Sequence, residues 1–414
     1  MTAETISFPL DPGAAALLTR LHAAGHAAYA VGGCVRDSLL GQTPHDWDLC
    51  TSATPEQVLE LFGKAHCIPT GLQHGTVTVK HGGELYEITT FRTEGAYSDG
   101  RHPDHVAFVP DVKKDLARRD FTINAMAYSA EEGLIDPFGG RDDLAAHLVR
   151  AVGEPERRFE EDALRILRLY RFAARFGFAI DPATDAAAKE LCRHLNCVSL
   201  ERIEEELSRL LEAPRPGRWM EPEIFAVVLP ELEPLEQPER FAQTRKILDA
   251  LPAGAEERVI RLAALLAPLG EDGTRKALKR LRCSNETIRE TALLVRESGL
   301  EPEADALRLQ ARRLLGTLTP EQLHRLILLC RAKRPEAAEP LERLWAAAEC
   351  LTAEHACCRV SELAVNGRDL IALGVQPGRG MKTILDALLA AVVTEQLPNE
   401  KEVLLDAAKR ISAS

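Results

Sequence analysis

The sequence lacks the features that mark membrane, secreted and zinc-binding proteins. No apolar run approaches the ~18 residues of a membrane-spanning helix, and the first residues carry no basic segment followed by an apolar core. Its 10 cysteines include no CxxC pair and are too few in 414 residues for a disulfide scaffold. These absences predict a cytoplasmic protein that does not contact a membrane.

The chain also lacks the positive net charge of most nucleic-acid-binding proteins, because 63 acidic residues outnumber 51 basic ones and the net charge is -12. The charge is unevenly distributed, however. Four arginines recur at helical spacing and would share one face of a helix: Arg165, Arg168, Arg171 and Arg175. A second basic group comprises Arg275, Lys276, Lys279, Arg280 and Arg282. Such groups are often solvated faces paired with nearby acids, and the second group alone favours that ordinary interpretation.

The chain is predicted to be an α+β protein, with a mixed-sheet head followed by an all-α remainder. At ~100–200 residues per domain, its length predicts two to four domains. Strand patterns occur at residues 27–31, 46–50, 76–80 and 85–91, and an HGGE link joins the last two as a hairpin. Apolar spacing typical of helices follows at residues 185–195, 199–212, 241–251, 256–268, 285–297, 304–316 and 320–332.

Two aspartates separated by a tryptophan stand in the segment VGGCVRDSLLGQTPHDWDLCTS, residues 31–52. In a strand, alternate side chains point to the same face, so Asp46 and Asp48 would lie side by side. Two carboxylates that close repel each other unless a cation lies between them, and a hard divalent ion with oxygen ligands is the usual solution. A strand end with two solvated acids explains the DxD pattern equally well when the pattern is taken alone.

The glycine pair and the aspartate pair together resemble a known signature. GGCVRDSLLG combined with HDWDLCTSATPEQV resembles the pattern GGxVRDxLLGxxxxDxDL…T of the tRNA nucleotidyltransferase and bacterial poly(A) polymerase superfamily. In such a head, which is palm-like, Gly32 and Gly33 let the backbone approach phosphate closely, and Arg36 clamps triphosphate oxygens.

The resemblance also implies a metal cofactor. Asp46 and Asp48 would hold two Mg²⁺ ions that activate the attacking hydroxyl group and neutralise the leaving pyrophosphate. Such sites often need a third carboxylate. Glu87 in YEITTFR is the candidate, because its strand would neighbour the aspartate strand. We therefore expect Asp46, Asp48 and Glu87 to form the catalytic group.

A second block, LARRDFTINAMAY at residues 116–128, resembles the RRDFTxNA motif of the same family. Arg118 and Arg119 are expected to make bidentate contacts with phosphates. Asp120 and Asn124 are expected to accept and donate hydrogen bonds at ribose hydroxyls, which would favour ribonucleotides. A helix start with mixed charges is the alternative when the block stands alone.

A third block, Glu161-Asp162-x-x-Arg165, resembles the EDxxR motif of class II tRNA nucleotidyltransferases. On one continuous helix these three groups would share a face and point at one spot. They are expected to form a protein template, in which Asp162 accepts from the exocyclic amine of cytosine or adenine while Arg165 donates to ring acceptors. Arg168 is expected to join the substrate-binding set. The alternative is an acidic helix start with an internal ion pair.

The resemblance continues more weakly into the tail, where residues 366–399 resemble the C-terminal segment of bacterial CCA-adding enzymes. It implies a seahorse-like arrangement in which tRNA is held along its acceptor and T arms. The implied divisions are a catalytic head, a nucleotide-selecting neck, a tRNA-binding body and a tRNA-binding tail, at residues 1–140, 141–212, 213–360 and 361–414.

The expected function is template-independent addition of C, C and A to the 3′ end of tRNA from CTP and ATP. A loop at residues 93–108 favours this over a CC-only enzyme and is expected to act as a lever between C and A addition, although it departs from the family at His102. A bacterial poly(A) polymerase usually has a longer basic C-terminal region, and a non-catalytic RNA-binding module would need neither DxD nor EDxxR. An appended HD-type hydrolase is disfavoured because the only adjacent His-Asp pair, His45-Asp46, lies inside the nucleotidyl motif.

Overall fold

The computed structural model describes residues 7–95 and 106–413. His102 and most of the predicted lever loop therefore lie outside the described residues. The chain divides into two compact units, of which the first comprises the residues up to Arg245 with two short additions and the second begins at Lys246. The predicted division into head, neck, body and tail is finer than these units and stays a prediction.

A mixed sheet in the first unit confirms the predicted head. In chain order the strands are β1 (Ala28–Val31), β2 (Leu49–Thr51), β3 (Cys67–Gly71), β4 (Thr76–His81), β5 (Glu84–Thr90), β6 (Arg92–Glu94), β7 (Val106–Phe108), β8 (Ala127–Ser129), β9 (Gly133–Ile135), β10 (Leu148–Val149) and β11 (Ala179–Ile180). Seven of them form one sheet in the order β3-β4-β5-β2-β1-β8-β9. In this sheet β2 and β5 are parallel and the other neighbours antiparallel.

The predicted hairpin is confirmed. β4 pairs antiparallel with residues 84–89 of β5, and the link between the strands contains Gly82 and Gly83, with φ of 62° and 94°. Two successive positive φ values are what a two-residue hairpin turn needs, and glycine adopts them without steric cost.

The aspartate strand is shorter than predicted, because β2 begins at Leu49 and not at residue 46. The Val31 amide still donates to the Asp48 carbonyl oxygen at 3.0 Å. At Gly32, however, the chain leaves β1 and turns into a helix, so the ladder of hydrogen bonds cannot continue to residue 46. The two aspartates consequently stand at the entrance to β2.

Helices form most of the remainder, as predicted. In chain order they are α1 (Pro12–Ala23), α2 (Gly33–Leu39), α3 (Pro55–Phe62), α4 (Val112–Leu116), α5 (Gly140–Ala145), α6 (Pro155–Glu161), α7 (Leu164–Phe176), α8 (Pro182–Glu190), α9 (Leu200–Leu211), α10 (Pro222–Val228), α11 (Pro238–Asp249), α12 (Arg258–Leu266), α13 (Gly270–Arg280), α14 (Asn285–Glu297), α15 (Leu307–Thr317), α16 (Pro320–Lys333), α17 (Ala338–Ala353), α18 (Gly367–Ala372), α19 (Arg379–Val393) and α20 (Lys401–Ala413). Each predicted helical stretch overlaps one of these helices, although α8 and α11 begin three residues before the predicted starts.

The EDxxR block does not lie on one continuous helix, and this prediction was wrong. α6 ends at Glu161 and α7 begins at Leu164, while Asp162 between them has extended backbone angles, φ −149° and ψ 103°. An aspartate is unfavourable at the C-terminal, negative end of a helix and favourable just before the next one. The break therefore follows from the charge of the block itself.

An apolar core joins the sheet to the segments that carry the motifs. Tyr29 and Val31 of β1 pack with Cys50 of β2, Leu116 of α4 and Ala127 of β8, and all five side chains are buried. Because the aspartate pair directly precedes β2 and the RRDFT block follows α4, this core positions both motifs in the first unit.

The second unit is helical throughout its described residues. Its last three helices enclose a separate core of Leu370, Ile384, Leu388, Leu404 and Ala408. No helix within residues 7–95 and 106–413 combines the length and the apolar character needed to span a membrane.

Candidate active site

The three predicted catalytic carboxylates lie at the junction of β2 and β5. These strands are parallel, and their register pairs Leu49 with Ile88. The residues just before this pair, Asp48 and Glu87, are therefore neighbours, and Asp46 precedes them by two positions. All three are exposed. The strand adjacency on which the prediction of Glu87 depends is confirmed.

Negative charge collects around Asp48. Although the residue is exposed to solvent, neighbouring protein partly desolvates its carboxylate, and this desolvation raises the pKa of Asp48. The charge of Arg119 lowers the pKa, whereas the charges of Glu87 and Asp46 raise it further. A divalent cation would relieve this repulsion, and carboxylate oxygens suit Mg²⁺. No group of three or more His, Cys, Asp or Glu in the described part of the chain could hold a metal alone. The residues thus fit an ion held by one or two carboxylates and completed by water and phosphates.

Gly32 leaves room for Arg119 beside these carboxylates. Its φ is 79°, and a Cβ atom at Gly32 would stand 2.7 Å from Nη1 of Arg119. That Nη1 donates to the Asn124 carbonyl oxygen at 3.5 Å. Gly33 follows as the first residue of α2. The need for glycine at position 32 therefore comes from backbone conformation and from the close approach of an arginine.

Replacing Gly32 with alanine should lower both stability and nucleotide addition. Gly32 has φ 79° and ψ −124°, a backbone conformation that residues with a Cβ avoid more strongly than the left-handed helical one, and Arg119 must also move. Gly139→Ala is the matched control, since Gly139 has φ 72° but nothing within 4 Å of its Cβ position. We expect a larger loss of melting temperature in Gly32→Ala than in Gly139→Ala, and a lower kcat/KM only for Gly32→Ala. Equal kcat/KM values would contradict the packing argument.

Arg36 lies inside the protein and not in an open phosphate site. Its side chain is 5% exposed and pairs with Asp37 at 2.7 Å, and its Nη1 donates to Asn124 Oδ1 at 2.5 Å. The guanidinium also stacks over the rings of Phe172 and Phe176 on α7. Burial lowers the pKa of Arg36, and the Asp37 charge opposes this. The geometry supports a positioning role that links α2 to α7, and the triphosphate clamp stays a prediction.

Asp115 on α4 anchors both arginines of the RRDFT block. Its side chain is 1% exposed, accepts from Nε and Nη2 of Arg118 at 3.1 and 2.9 Å, and lies 3.8 Å from Nη2 of Arg119. It also accepts from the Arg92 backbone amide at 3.1 Å. Sequence reasoning missed this residue, although an aspartate three and four positions before two arginines is the helical ion-pair pattern.

Asp120 occupies the centre of a buried polar network. Its Oδ2 accepts from Nε and Nη2 of Arg168 at 2.9 and 2.7 Å, and its Oδ1 accepts from Asn124 at 3.1 Å. Burial would raise the pKa of Asp120, but the Arg168 charge and these hydrogen bonds hold it well below its usual range. Asp120 and Asn124 thus bind protein groups here, whereas the sequence led us to expect them at ribose hydroxyls.

The arginine stripe is confirmed as one face of α7, but it is a row of ion pairs. Glu206 on α9 accepts from Arg171 at 2.5 Å and lies 3.5 Å from Arg168. Arg175 lies 3.6 Å from Asp37. The arginines of the second basic group also form ion pairs: Arg275 with Glu271, Arg280 with Glu231 and Arg282 with Glu201. Its lysines, Lys276 and Lys279, are exposed.

Glu161 and Arg165 meet across the break between α6 and α7. Nη1 of Arg165 donates to Glu161 at 2.8 Å and its Nη2 to the Arg118 carbonyl oxygen at 3.1 Å. Arg158, which was not predicted, also pairs with Glu161. This part of the block contains the ion pair of the alternative interpretation and ties the break to the RRDFT segment.

Asp162 is oriented separately from that pair. Its Oδ1 accepts at 3.1 Å from the amide of Leu164, the first residue of α7, and its Oδ2 accepts from Nη2 of Arg202 at 2.7 Å. Arg202 and Glu206 are four residues apart and so share one face of α9. The apolar spacing of residues 199–212 predicts that helix correctly, but not which of its charged residues meet the motif.

Known protein families match most of the chain. Residues 28–150 match the poly A polymerase head domain, residues 177–235 the probable RNA and SrmB-binding site of polymerase A, and residues 255–408 the putative domain 2 of tRNA nucleotidyltransferase. The matches fall in both compact units.

Full-length relatives agree with these matches. The CCA-adding enzyme of Lactobacillus helveticus is 35% identical over 398 residues, covering 94% of each chain, and that of Geobacillus stearothermophilus is 37% identical over 394 residues, covering 93% of each. The crystal structure of the Bacillus stearothermophilus CCA-adding enzyme in complex with CTP is 33% identical, with a TM-score of 0.80 over 98% of each chain. This chain therefore belongs to the CCA-adding enzyme family of nucleotidyltransferases.

Proposed function

We propose that this protein adds C, C and A to the 3′ end of tRNA, using CTP and ATP and releasing pyrophosphate. The observation that carries this proposal is the full-length likeness to CCA-adding enzymes, at 35% and 37% identity. It extends from the head motifs to the last helices, so it includes both the nucleotidyl signature and the region expected to grip tRNA.

The head supplies the chemistry. The tRNA 3′-hydroxyl attacks the α-phosphate in line, and pyrophosphate leaves. Asp46 and Asp48, with Glu87 beside them, would hold Mg²⁺, which when bound activates the hydroxyl and neutralises charge on the leaving group. Arg119 reaches past Gly32 toward these carboxylates, where its charge is available to nucleotide phosphates. Arg118 is already engaged by Asp115 and orients the block.

The break between α6 and α7 supplies nucleotide selection. A carboxylate only accepts hydrogen bonds, so Asp162 suits the exocyclic amines of cytosine and adenine, and the carbonyl groups of uracil and guanine offer it no donor. Arg165 is the donating partner in this proposal. Its present contacts with Glu161 and the Arg118 carbonyl fix its orientation without occupying all five of a guanidinium's N–H donors.

Exchanging Asp162 for asparagine should weaken nucleotide selection. The amide places a donor where the native group only accepts, so UTP should gain relative to CTP by about one to two powers of ten, the value of roughly 1–3 kcal/mol for a lost base contact. The measurement is kcat/KM for CTP over that for UTP, together with thermal unfolding.

Asp181→Asn is the matched control for this experiment. Asp181 caps α8 through the Thr184 amide at 3.1 Å and lies 3.2 Å from Arg150, so like Asp162 it accepts from an amide in the first turn of a helix and pairs with an arginine. It should leave the CTP/UTP ratio unchanged. An unchanged ratio in Asp162→Asn as well would reduce Asp162 to a helix cap.

One assay tests the whole proposal. The protein is incubated with tRNA lacking its 3′ end and with labelled CTP or ATP, singly and together, and products are resolved at single-nucleotide resolution. Addition of two C and one A, then arrest, is the expected result. A long A tail would instead indicate a poly(A) polymerase, and arrest after two C a CC-adding enzyme. We also predict that the protein binds tRNA along its acceptor and T arms and that it is located in the cytoplasm.

A further inference from the structure

Arg202 donates a hydrogen bond to the carboxylate oxygen of Asp162 that does not bind the backbone of α7. Oδ1 of Asp162 is held by the Leu164 amide at 3.1 Å, and Oδ2 is held by Nη2 of Arg202 at 2.7 Å. The carboxylate plane is therefore defined from two sides, by the backbone of α7 and by a side chain from α9. Arg202 belongs to none of the three motif blocks recognised in the sequence.

This pair is more exposed than the neighbouring ion pair that joins α7 to α9. The Arg202 and Asp162 side chains are 21% and 17% exposed, whereas the Arg171 and Glu206 side chains are 7% and 6% exposed. A ligand can therefore reach the Asp162–Arg202 pair from solvent. A carboxylate oxygen has two lone pairs, so Oδ2 can accept from Arg202 and from one further donor at the same time.

We propose that Arg202 is a positioning residue that determines base selection through Asp162, an inference that rests on the proposed function. A guanidinium can only donate, so the oxygen bound to it stays a charged acceptor and stays aimed in one direction. Asp162 held in this way rejects the carbonyl groups of uracil and guanine. Without Arg202 the carboxylate can rotate about its Cα–Cβ bond, leave the Leu164 amide and lose its fixed direction.

A purely structural role for Arg202 is disfavoured by the other contacts of α9. This helix already packs through buried apolar side chains, namely Ile203, Leu207, Leu210 and Leu211. Glu206 also joins it to α7 through the buried pair with Arg171. One partly exposed ion pair adds little to the stability of such an interface, so its loss should leave the helix in place.

The test compares two arginines of the same helix. Arg202→Met keeps an unbranched apolar stem and removes the charged guanidinium, and Arg202→Lys keeps the charge. Arg209→Met is the control, because Arg209 on α9 makes an ion pair of the same 2.7 Å length with Glu205 but away from the break. For each variant, kcat/KM is measured for CTP and for UTP on tRNA lacking its 3′ end, and unfolding is followed in parallel.

We expect the CTP/UTP ratio to fall by about tenfold in Arg202→Met, corresponding to the loss of one oriented base contact, and to recover partly in Arg202→Lys. Arg209→Met should leave it unchanged. In an Asp162→Asn background, Arg202→Met should have no further effect on the ratio, because the group through which it acts is already altered. If Arg202→Met unfolds, Arg202→Lys carries the comparison, alone and in the Asp162→Asn background.

Three results would overturn the inference: an unchanged ratio in Arg202→Met, an equal fall in Arg209→Met, or additive effects of the two substitutions at positions 162 and 202. Failure of the proposed function is separately visible, since wild-type protein would then not add C, C and A at all. Wild-type addition with an unchanged ratio in Arg202→Met leaves the function intact and removes only the role of Arg202.

Discussion

Replacing Asp48 with alanine should reduce nucleotide addition at least about a thousandfold, because transition-state charge stabilisation worth several kcal/mol is lost with the metal-holding carboxylate. Asp48 is where the structure concentrates negative charge, with Asp46 two residues before it and Glu87 on the neighbouring parallel strand. The alanine variant leaves the head with one aspartate at this position and cannot hold Mg²⁺ in the same way. Asp46→Ala should behave similarly.

The measurement is single-turnover addition of CMP to tRNA lacking its 3′ end across a range of Mg²⁺ concentrations. Binding of tRNA should stay nearly unchanged, since the expected grip lies mostly outside the carboxylate site. Asp142→Ala, an exposed aspartate on α5 in the same unit, is the control and should retain activity. Activity of Asp48→Ala within a few-fold of wild type would exclude the metal-holding assignment.

Asp120→Asn should destabilise the first unit by about 3 kcal/mol. Removing one partner of a buried ion pair costs roughly 3–5 kcal/mol, and the lower value is expected because Arg168 is 32% exposed and keeps Glu206 at 3.5 Å. Glu205→Gln, which breaks the exposed pair between Glu205 and Arg209, should cost less than about 1 kcal/mol. Denaturant unfolding of the three proteins at neutral pH measures both values.

The same pair predicts how stability depends on pH. The pKa of Asp120 is lower in the folded protein than its ordinary value of 3.8. A carboxyl of this kind contributes its full stabilisation above the unfolded pKa and loses it as the pH falls toward the folded one. Wild-type stability should therefore decrease below about pH 4, and Asp120→Asn should show a smaller decrease. Parallel pH profiles for the two proteins would mean that the ionised state of Asp120 does not support the fold.

Predictions that depended on local pattern were mostly confirmed. The hairpin follows from alternating apolar residues around Gly82-Gly83, and the helices of the second unit follow from 3.6-residue apolar spacing. Neighbours in the chain decide both features, so a single sequence contains the necessary information. The break at Asp162 was missed, although its signal was local too: acidic residues that disfavour the end of one helix favour the start of the next.

Roles assigned to individual charged side chains were less secure, as Arg36 and Asp120 illustrate. A residue type states which hydrogen bonds a side chain can make, and not which groups will be near it. Arg36 was expected to face phosphate and instead donates to Asn124, 88 positions away. Asp120 was expected to face ribose and instead binds Arg168, 48 positions away. Buried polar groups must find partners, and folding provided protein partners for both.

The sequence by itself therefore determined the kind of chemistry, the mixed-sheet head and helical remainder, and the segments that carry the motifs, because spacing and residue type encode these within short stretches. Only the tertiary structure decided that Glu206 receives the arginine stripe and that Arg202 holds Asp162. The physical reason is that helical periodicity selects the face on which a charge lies, whereas its partner depends on which other element packs against that face.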